Sequence, residues 1–197
     1  MTPGPNELTF VAQERVRASC VALSREAFEE LYPHPLLWVT LPPGMSPPAS
    51  PALAPAESFR QTLVEDSVEA DAAAAAAFIN KVGLIKKRPN SLFPNMISLG
   101  RAEDNDLVVA LGTISKLHAY FLVSEEKWSL TDWTSTNGTK CDMEPLTPRQ
   151  GLSLESGASL SFGKEFTARF MFPGHLYDEL RAGRTPRTPT AEGRGEG

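Results

Sequence analysis

Residues 96–139 read MISLGRAEDNDLVVALGTISKLHAYFLVSEEKWSLTDWTSTNGT. Within that stretch lie the polar islands Gly100-Arg101, Ser115-Lys116-Leu117-His118 and Ser135-Thr136-Asn137-Gly138-Thr139. They interrupt apolar runs of strand length, each island falling where a loop is expected. Together they supply a guanidinium, hydroxyls and a side-chain amide, with no nucleophile–base pair among them. Such a set suits holding an anion on a peptide rather than making or breaking bonds.

Working outward, short β-like runs continue on both sides. Strands are expected near 78–86, 96–100, 107–109, 119–123, 128–132, 139–141, 152–154, 159–162 and 166–172. Pro89-Asn90, Asp104-Asn105, Glu125-Glu126, Asn137-Gly138 and Glu155-Ser156-Gly157 supply the turns. Many short strands with no long helix between them indicate an all-β antiparallel sandwich or barrel over 78–181, closed by a short helix at 176–181. Residues 1–41 read as an N-terminal extension. In it, Ser24 caps a helix over 25–32 whose apolar stripe is Ala27, Phe28 and Leu31, stopped by Pro33. Leu36-Leu37-Trp38-Val39 has strand length, and the segment before Ser24 is compatible with strand or helix. Residues 42–77 read as a linker or tether. Its first part, 42–56, is rich in Pro, Ala and Ser and cannot bury a core. Its second part, 57–77, is either a helix ending in the alanine run from Ala72 or an acidic tether. The Gly/Arg/Thr/Pro tail, 182–197, reads as disordered.

The bulk composition narrows the function. A chain of 197 residues with 41% hydrophobic content suits one domain plus appendages, and 17 Pro and 14 Gly imply much turn. A net charge of −5 argues against a general nucleic-acid binder, which needs a basic face, while leaving room for one phosphate held by local donors. The cysteines, Cys20 and Cys141, are far apart, so neither a zinc site nor a disulfide framework is expected. Without a leader or an apolar run long enough to span a bilayer, the chain is expected to be soluble and cytoplasmic, away from membranes.

Residues 78–172 resemble a forkhead-associated (FHA) domain, a β-sandwich that reads phosphothreonine in partner proteins. The resemblance rests on Gly100-Arg101, on Ser115-x-x-His118, on Asp132-x-x-Ser135-Thr136-Asn137-Gly138-Thr139, and on Gly157 followed by Leu160-Ser161-Phe162-Gly163. It implies that Arg101, Ser115 and Thr136 contact phosphate and that Asn137 pairs with the ligand's backbone. It further implies that Gly100, His118, Ser135 and Gly138 shape the loops, with Asp132 and Thr139 also structural. Lys116, where the family often carries arginine or asparagine, either adds attraction for phosphate or is simply solvated. Discrimination of phosphothreonine from phosphoserine is a further implication, resting on a methyl group worth only about 1 kcal/mol.

Those residue types fit such a role on their own chemistry. A guanidinium can grip two phosphate oxygens at once, which an ammonium cannot. A side-chain amide both donates and accepts, matching an extended peptide. His118 has no second histidine with which to share a metal and no evident carboxylate orienter, so it reads as scaffold. The bland reading of Arg101 is a surface arginine paired with Glu103 or Asp104. This chain departs from the family pattern at Asp142, where asparagine is common, and at Trp133 and Thr134. The expected function is a non-enzymatic adaptor for a phosphothreonine-containing protein in a Ser/Thr-kinase pathway, with no cofactor. The competing reading is a phosphate-independent scaffold working through strand edges and the N-terminal segment. The tail adds Thr185-Pro186-Arg187-Thr188-Pro189, candidate phosphorylation sites for self-association or autoinhibition.

Overall fold

The run Leu36-Leu37-Trp38-Val39 decides how the N-terminal part of the chain is used. In a computed structural model describing residues 9–40, 77–89, 95–124 and 127–187, it forms a strand whose side chains alternate between two different cores. The elements are β1 (Phe10–Ala12), α1 (Gln13–Ala22), α2 (Arg25–Leu31), β2 (Leu36–Thr40), β3 (Lys81–Leu84), β4 (Met96–Gly100), β5 (Leu107–Val108), β6 (Ala119–Ser124) and β7 (Lys127–Asp132). They continue with β8 (Thr139–Cys141), β9 (Glu144–Pro145), β10 (Leu152–Ser153), β11 (Ser159–Phe162), β12 (Phe166–Met171) and α3 (Pro173–Arg181).

A seven-stranded sheet runs β1-β3-β2-β12-β11-β8-β9, and a five-stranded sheet runs β10-β7-β6-β4-β5. Leu37, Val39, Leu160, Phe166 and Phe170 from the first sheet pack against Ile97, Leu99, Phe121 and Leu130 from the second. This is the antiparallel sandwich the turn spacing predicts, with one exception: β4 and β5 pair in parallel, Leu99 opposite Leu107. The hairpin strand β9 was not expected from sequence.

The outer face of the larger sheet is also covered. Leu36, Trp38, Val82 and Met171 point there and meet Val16 and Cys20 of α1, Phe28 of α2 and Leu176 of α3. Because β2 buries both faces, it reads as a continuous apolar run rather than an alternating one. Burying Phe28 alone is worth about 1.5–3 kcal/mol.

Several expectations change here. Residues 10–12 and 36–40 are not an extension. The latter pair with β12 from Leu36↔Met171 to Thr40↔Thr167, and with β3 on the other side, so the sheet is incomplete without them. The segment before Ser24 is helix. Ser24 caps α2 as read, its hydroxyl accepting from the Ala27 N–H at 3.3 Å. The buried stripe is Phe28 and Tyr32, rings 4.9 Å apart, while Leu31 is 52% exposed. A one-position offset suffices for this, since Phe28 and Tyr32 are the i,i+4 pair facing the sheet. The closing helix starts earlier than expected, at Pro173, and ends in a Schellman stop. There Gly183 at φ 71° donates to the Leu180 carbonyl, and Arg184 to that of Glu179. Part of the tail is held beyond that stop, by Arg17 to the Thr185 hydroxyl and Arg169 to the Arg187 carbonyl. The linker 42–56, the segment 57–76, the turn residues Asn90, Glu125 and Glu126, and the tail from Thr188 lie outside the described residues.

Candidate functional site

Sheet register brings the islands together. Leu99 pairs with Ala119, and Ala119 with Asp132, so Gly100-Arg101, His118 and Trp133 all leave the smaller sheet at one end. Thr139 pairs with Phe162, which sets the loop 133–138 over that same end.

Gly100 is there because the next loop lies against it. A Cβ on Gly100 would sit 2.2 Å from the Lys116 carbonyl oxygen. That approach lets the Arg101 N–H donate to the Ser115 carbonyl at 3.0 Å and the Ala102 N–H to that of Lys116 at 3.2 Å. Asn105, buried, locks the pair of loops by donating from Nδ2 to the Ala102 and Lys116 carbonyls at 2.8 and 2.7 Å.

Ser115 joins this layer to the loop after β7. Its Oγ accepts from the Thr136 N–H at 3.0 Å and lies 3.4 Å from the Thr136 hydroxyl. Asn137 makes a second link, Nδ2 donating to the Thr113 carbonyl at 2.8 Å, while its side-chain carbonyl oxygen has no hydrogen bond among the described residues. Asn137 therefore spends half of its amide bracing the cleft. The resemblance implied pairing with the ligand's backbone and gave no sign of this bracing bond.

His118 is wholly buried beneath these contacts. Its Nδ1 accepts from the Ser115 N–H at 3.1 Å, which makes it the unprotonated nitrogen, so Nε2 carries the hydrogen and donates to the Gly138 carbonyl at 3.1 Å. The ring is a neutral brace between two loops. Asp132 performs the same service within one loop. It accepts from the Ser135 N–H at 2.9 Å, the Ser135 hydroxyl at 2.6 Å and the Thr139 hydroxyl at 2.6 Å. Gly138, at φ 76°, turns the chain with no atom near its Cβ position.

Arg101 stands apart. It is exposed, and among the described residues its guanidinium has no hydrogen bond or ion pair, so the pairing with Glu103 or Asp104 does not occur. It lines a shallow cleft of about 290 Å³ together with Ser115, Lys116, Thr136 and Asn137, and with Gly112, Thr113 and Ile114. Among the described residues, two cations and no carboxylate line this cleft. The last three residues were not anticipated, because an apolar-flanked Gly-Thr reads only as a turn. Asn105 and Asp106 were likewise hidden in what looks like plain turn punctuation. Asp106 in fact accepts from Lys87 Nζ and from the Arg88 and Ser98 N–H groups, all at 2.9 Å.

The departures fall outside the cleft. Asp142 turns the β8–β9 hairpin at φ 50° and accepts from the Ser159 N–H at 2.9 Å. Trp133 packs edge-on to Tyr120 at 5.7 Å and under the Arg149 guanidinium at 5.5 Å.

Residues 97–163, which carry all of these loops, match the family model of the FHA domain. The chain carries an FHA domain. Among solved structures, the FHA domain of an Arabidopsis thaliana protein is 24% identical, covering 41% of this chain and 70% of that one at a TM-score of 0.38. The N-terminal FHA domain of S. cerevisiae Rad53p, solved with a phosphothreonine peptide, is 15% identical, covering 69% of this chain and 91% of its own at 0.40. The FhaA FHA domain, complexed with the intracellular domain of Rv3910, is 23% identical, covering 41% and 86% respectively at 0.35. No curated protein matches the chain. No described helix is long and apolar enough to cross a membrane, and the described residues hold no group of three metal-ligating side chains.

The bracing of the FHA loops sets their pH response. Burial pushes the pKa of His118 down, against the pull of the Gly138 carbonyl and the Asp132 charge. The unfolded chain therefore takes up this proton first as pH falls through about 6.5, and folding stability drops from there toward the lowered folded value. Burial raises the pKa of Asp132, but the Ser135 and Thr139 hydrogen bonds overcome it and leave the pKa lowered. The stability Asp132 contributes is full above the ordinary carboxylate range and is lost as pH falls through that lowered value. A urea midpoint that is level above about pH 7 and declines below 6.5 is expected; one level down to pH 5 would contradict the neutral brace.

Proposed function

We propose that this protein is a phosphothreonine-peptide-binding adaptor in Ser/Thr-kinase signalling, acting in the cytoplasm. The observation that supports the reading is an Arg101 guanidinium on the same cleft as Ser115, Thr136 and Asn137, with neither an ion-pair partner nor a lining carboxylate among the described residues. Arg101 takes two phosphate oxygens, the Ser115 and Thr136 hydroxyls a third, Lys116 adds attraction, and the Asn137 carbonyl accepts from the peptide backbone. Charge-assisted hydrogen bonds are worth roughly 1.5–3 kcal/mol each. Three of them cover most of the ~8 kcal/mol behind micromolar affinity.

The scaffold reading loses part of its N-terminal handle, because β2 lies inside the sheet between β3 and β12, and keeps only β1 as an edge strand. Titration of matched phosphothreonine and unphosphorylated peptides tests the choice. Binding confined to the phosphorylated members is expected, with Kd in the micromolar range; equal binding of both forms would favour the scaffold.

A further inference from the structure

On the far side of the larger sheet, α3 ends in its Schellman stop and the next residues read Thr185-Pro186. The Thr185 hydroxyl accepts from Arg17 Nη2 at 2.9 Å, and Pro186 is buried. The Arg17 guanidinium is held in place by the Trp38 ring, 5.0 Å below it. Yet it has no carboxylate among the described residues, and neither does Arg181, which shares the neighbourhood of the Cys20 thiol. Asp178, the acid of that neighbourhood, pairs with Arg25 at 3.3 Å, and Glu179 takes Arg184 at 2.9 Å. Two residues on, Arg169 donates from Nη1 to the Arg187 carbonyl at 3.0 Å, while its buried Nε has no partner.

A positioned guanidinium facing a neutral threonine hydroxyl is a cation with half a partner. A phosphate on that hydroxyl brings about −1.5 to −2 charge and the oxygen geometry that a guanidinium fork grips best. We propose that Thr185 is a phosphorylation site for a proline-directed Ser/Thr kinase and that Arg17 captures the phosphate in cis. Two side-chain hydrogen bonds and the burial of Pro186 hold the segment, so it must lift off α1 for a kinase to read it. The kinase transfers the γ-phosphoryl group of ATP to Thr185 Oγ1. The new O–P bond forms as the bond to the β-phosphate breaks, ADP leaves, and the hydroxyl proton passes to the kinase's base. The modified residue then fastens the chain beyond α3 onto α1 and Trp38, at a place sharing no residue with the Arg101 cleft.

The test uses the full chain with Thr188→Ala and Thr190→Ala, treated with a proline-directed kinase and ATP, the site being located by mass spectrometry. The phosphorus resonance lost in Thr185→Val is then titrated. It is expected to have a second pKa below the ordinary value near 6, returning to it in Arg17→Gln. The melting temperature is expected to rise by about 2–4 °C on modification and not in Arg17→Gln. Arg17→Lys, which keeps the charge without the fork, gives an intermediate shift. Failure of Thr185 to take phosphate, or a resonance that titrates identically in Arg17→Gln, overturns the proposal. So does a doubling in size that Arg101→Ala abolishes, since the phosphate would then be read by a second copy's cleft.

Discussion

Arg101→Ala is expected to abolish phosphopeptide binding while leaving the melting temperature within a degree or two of the parent. The expectation combines two facts about one side chain. The guanidinium lines the cleft but has no partner among the described residues, so the folded state loses nothing when it goes. Exposed substitutions of that kind stay within about 0.5 kcal/mol. Bound to phosphate, the same group supplies two charge-assisted hydrogen bonds, and their loss costs about 3 kcal/mol or more, at least a hundredfold in Kd. Arg101→Lys restores charge without the fork and should recover only part of the affinity. Calorimetric titration and a thermal melt on the same preparations read both quantities. Unchanged affinity in Arg101→Ala would remove the phosphate role. A large fall in melting temperature would show that the residue is structural after all. Ser115→Ala is a poorer probe, because the Ser115 hydroxyl also holds the Thr136 N–H and its loss mixes binding with loop stability.

The parts of this molecule legible in sequence are those governed by local signals. Asn137-Gly138 marks a turn, and Gly138 does adopt a left-handed φ. Strands β4, β8 and β11 have the bounds expected from the sequence. What was not legible depends on partners distant in sequence. Leu36-Leu37-Trp38-Val39 looks the same whether it is a free strand or a doubly buried one, since only β3, β12 and the helices distinguish them. Asn105 looks like a loop residue until the Lys116 carbonyl is placed beside it. Gly100 is singled out in the sequence by the family resemblance, not by its close contact. Its need for glycine comes from a backbone atom sixteen positions later rather than from its own φ.

That distance effect makes Gly100→Ala the substitution with the largest expected effect on fold and binding together. The methyl group would meet the Lys116 carbonyl oxygen at 2.2 Å and its carbon at 2.8 Å, both backbone atoms that cannot rotate aside, and Asn105 Nδ2 at 2.8 Å. Relief requires the loop 115–118 to lift. Lifting breaks the Arg101-to-Ser115 and Ala102-to-Lys116 hydrogen bonds and the Asn105 bridge. Overpacking against unyielding neighbours costs up to about 3 kcal/mol or more, which lowers the melting temperature by roughly 6–12 °C in a chain of this size. Ser115 moves with the loop, and the Thr136 and His118 contacts move with Ser115, so peptide affinity should fall along with stability. Gly138→Ala is the control. Its Cβ has open space around it, so only backbone strain of about 1–2 kcal/mol applies at φ 76°. If Gly100→Ala melted no lower than Gly138→Ala, contact between strand β4 and the Ser115 loop would not be what holds the cleft together.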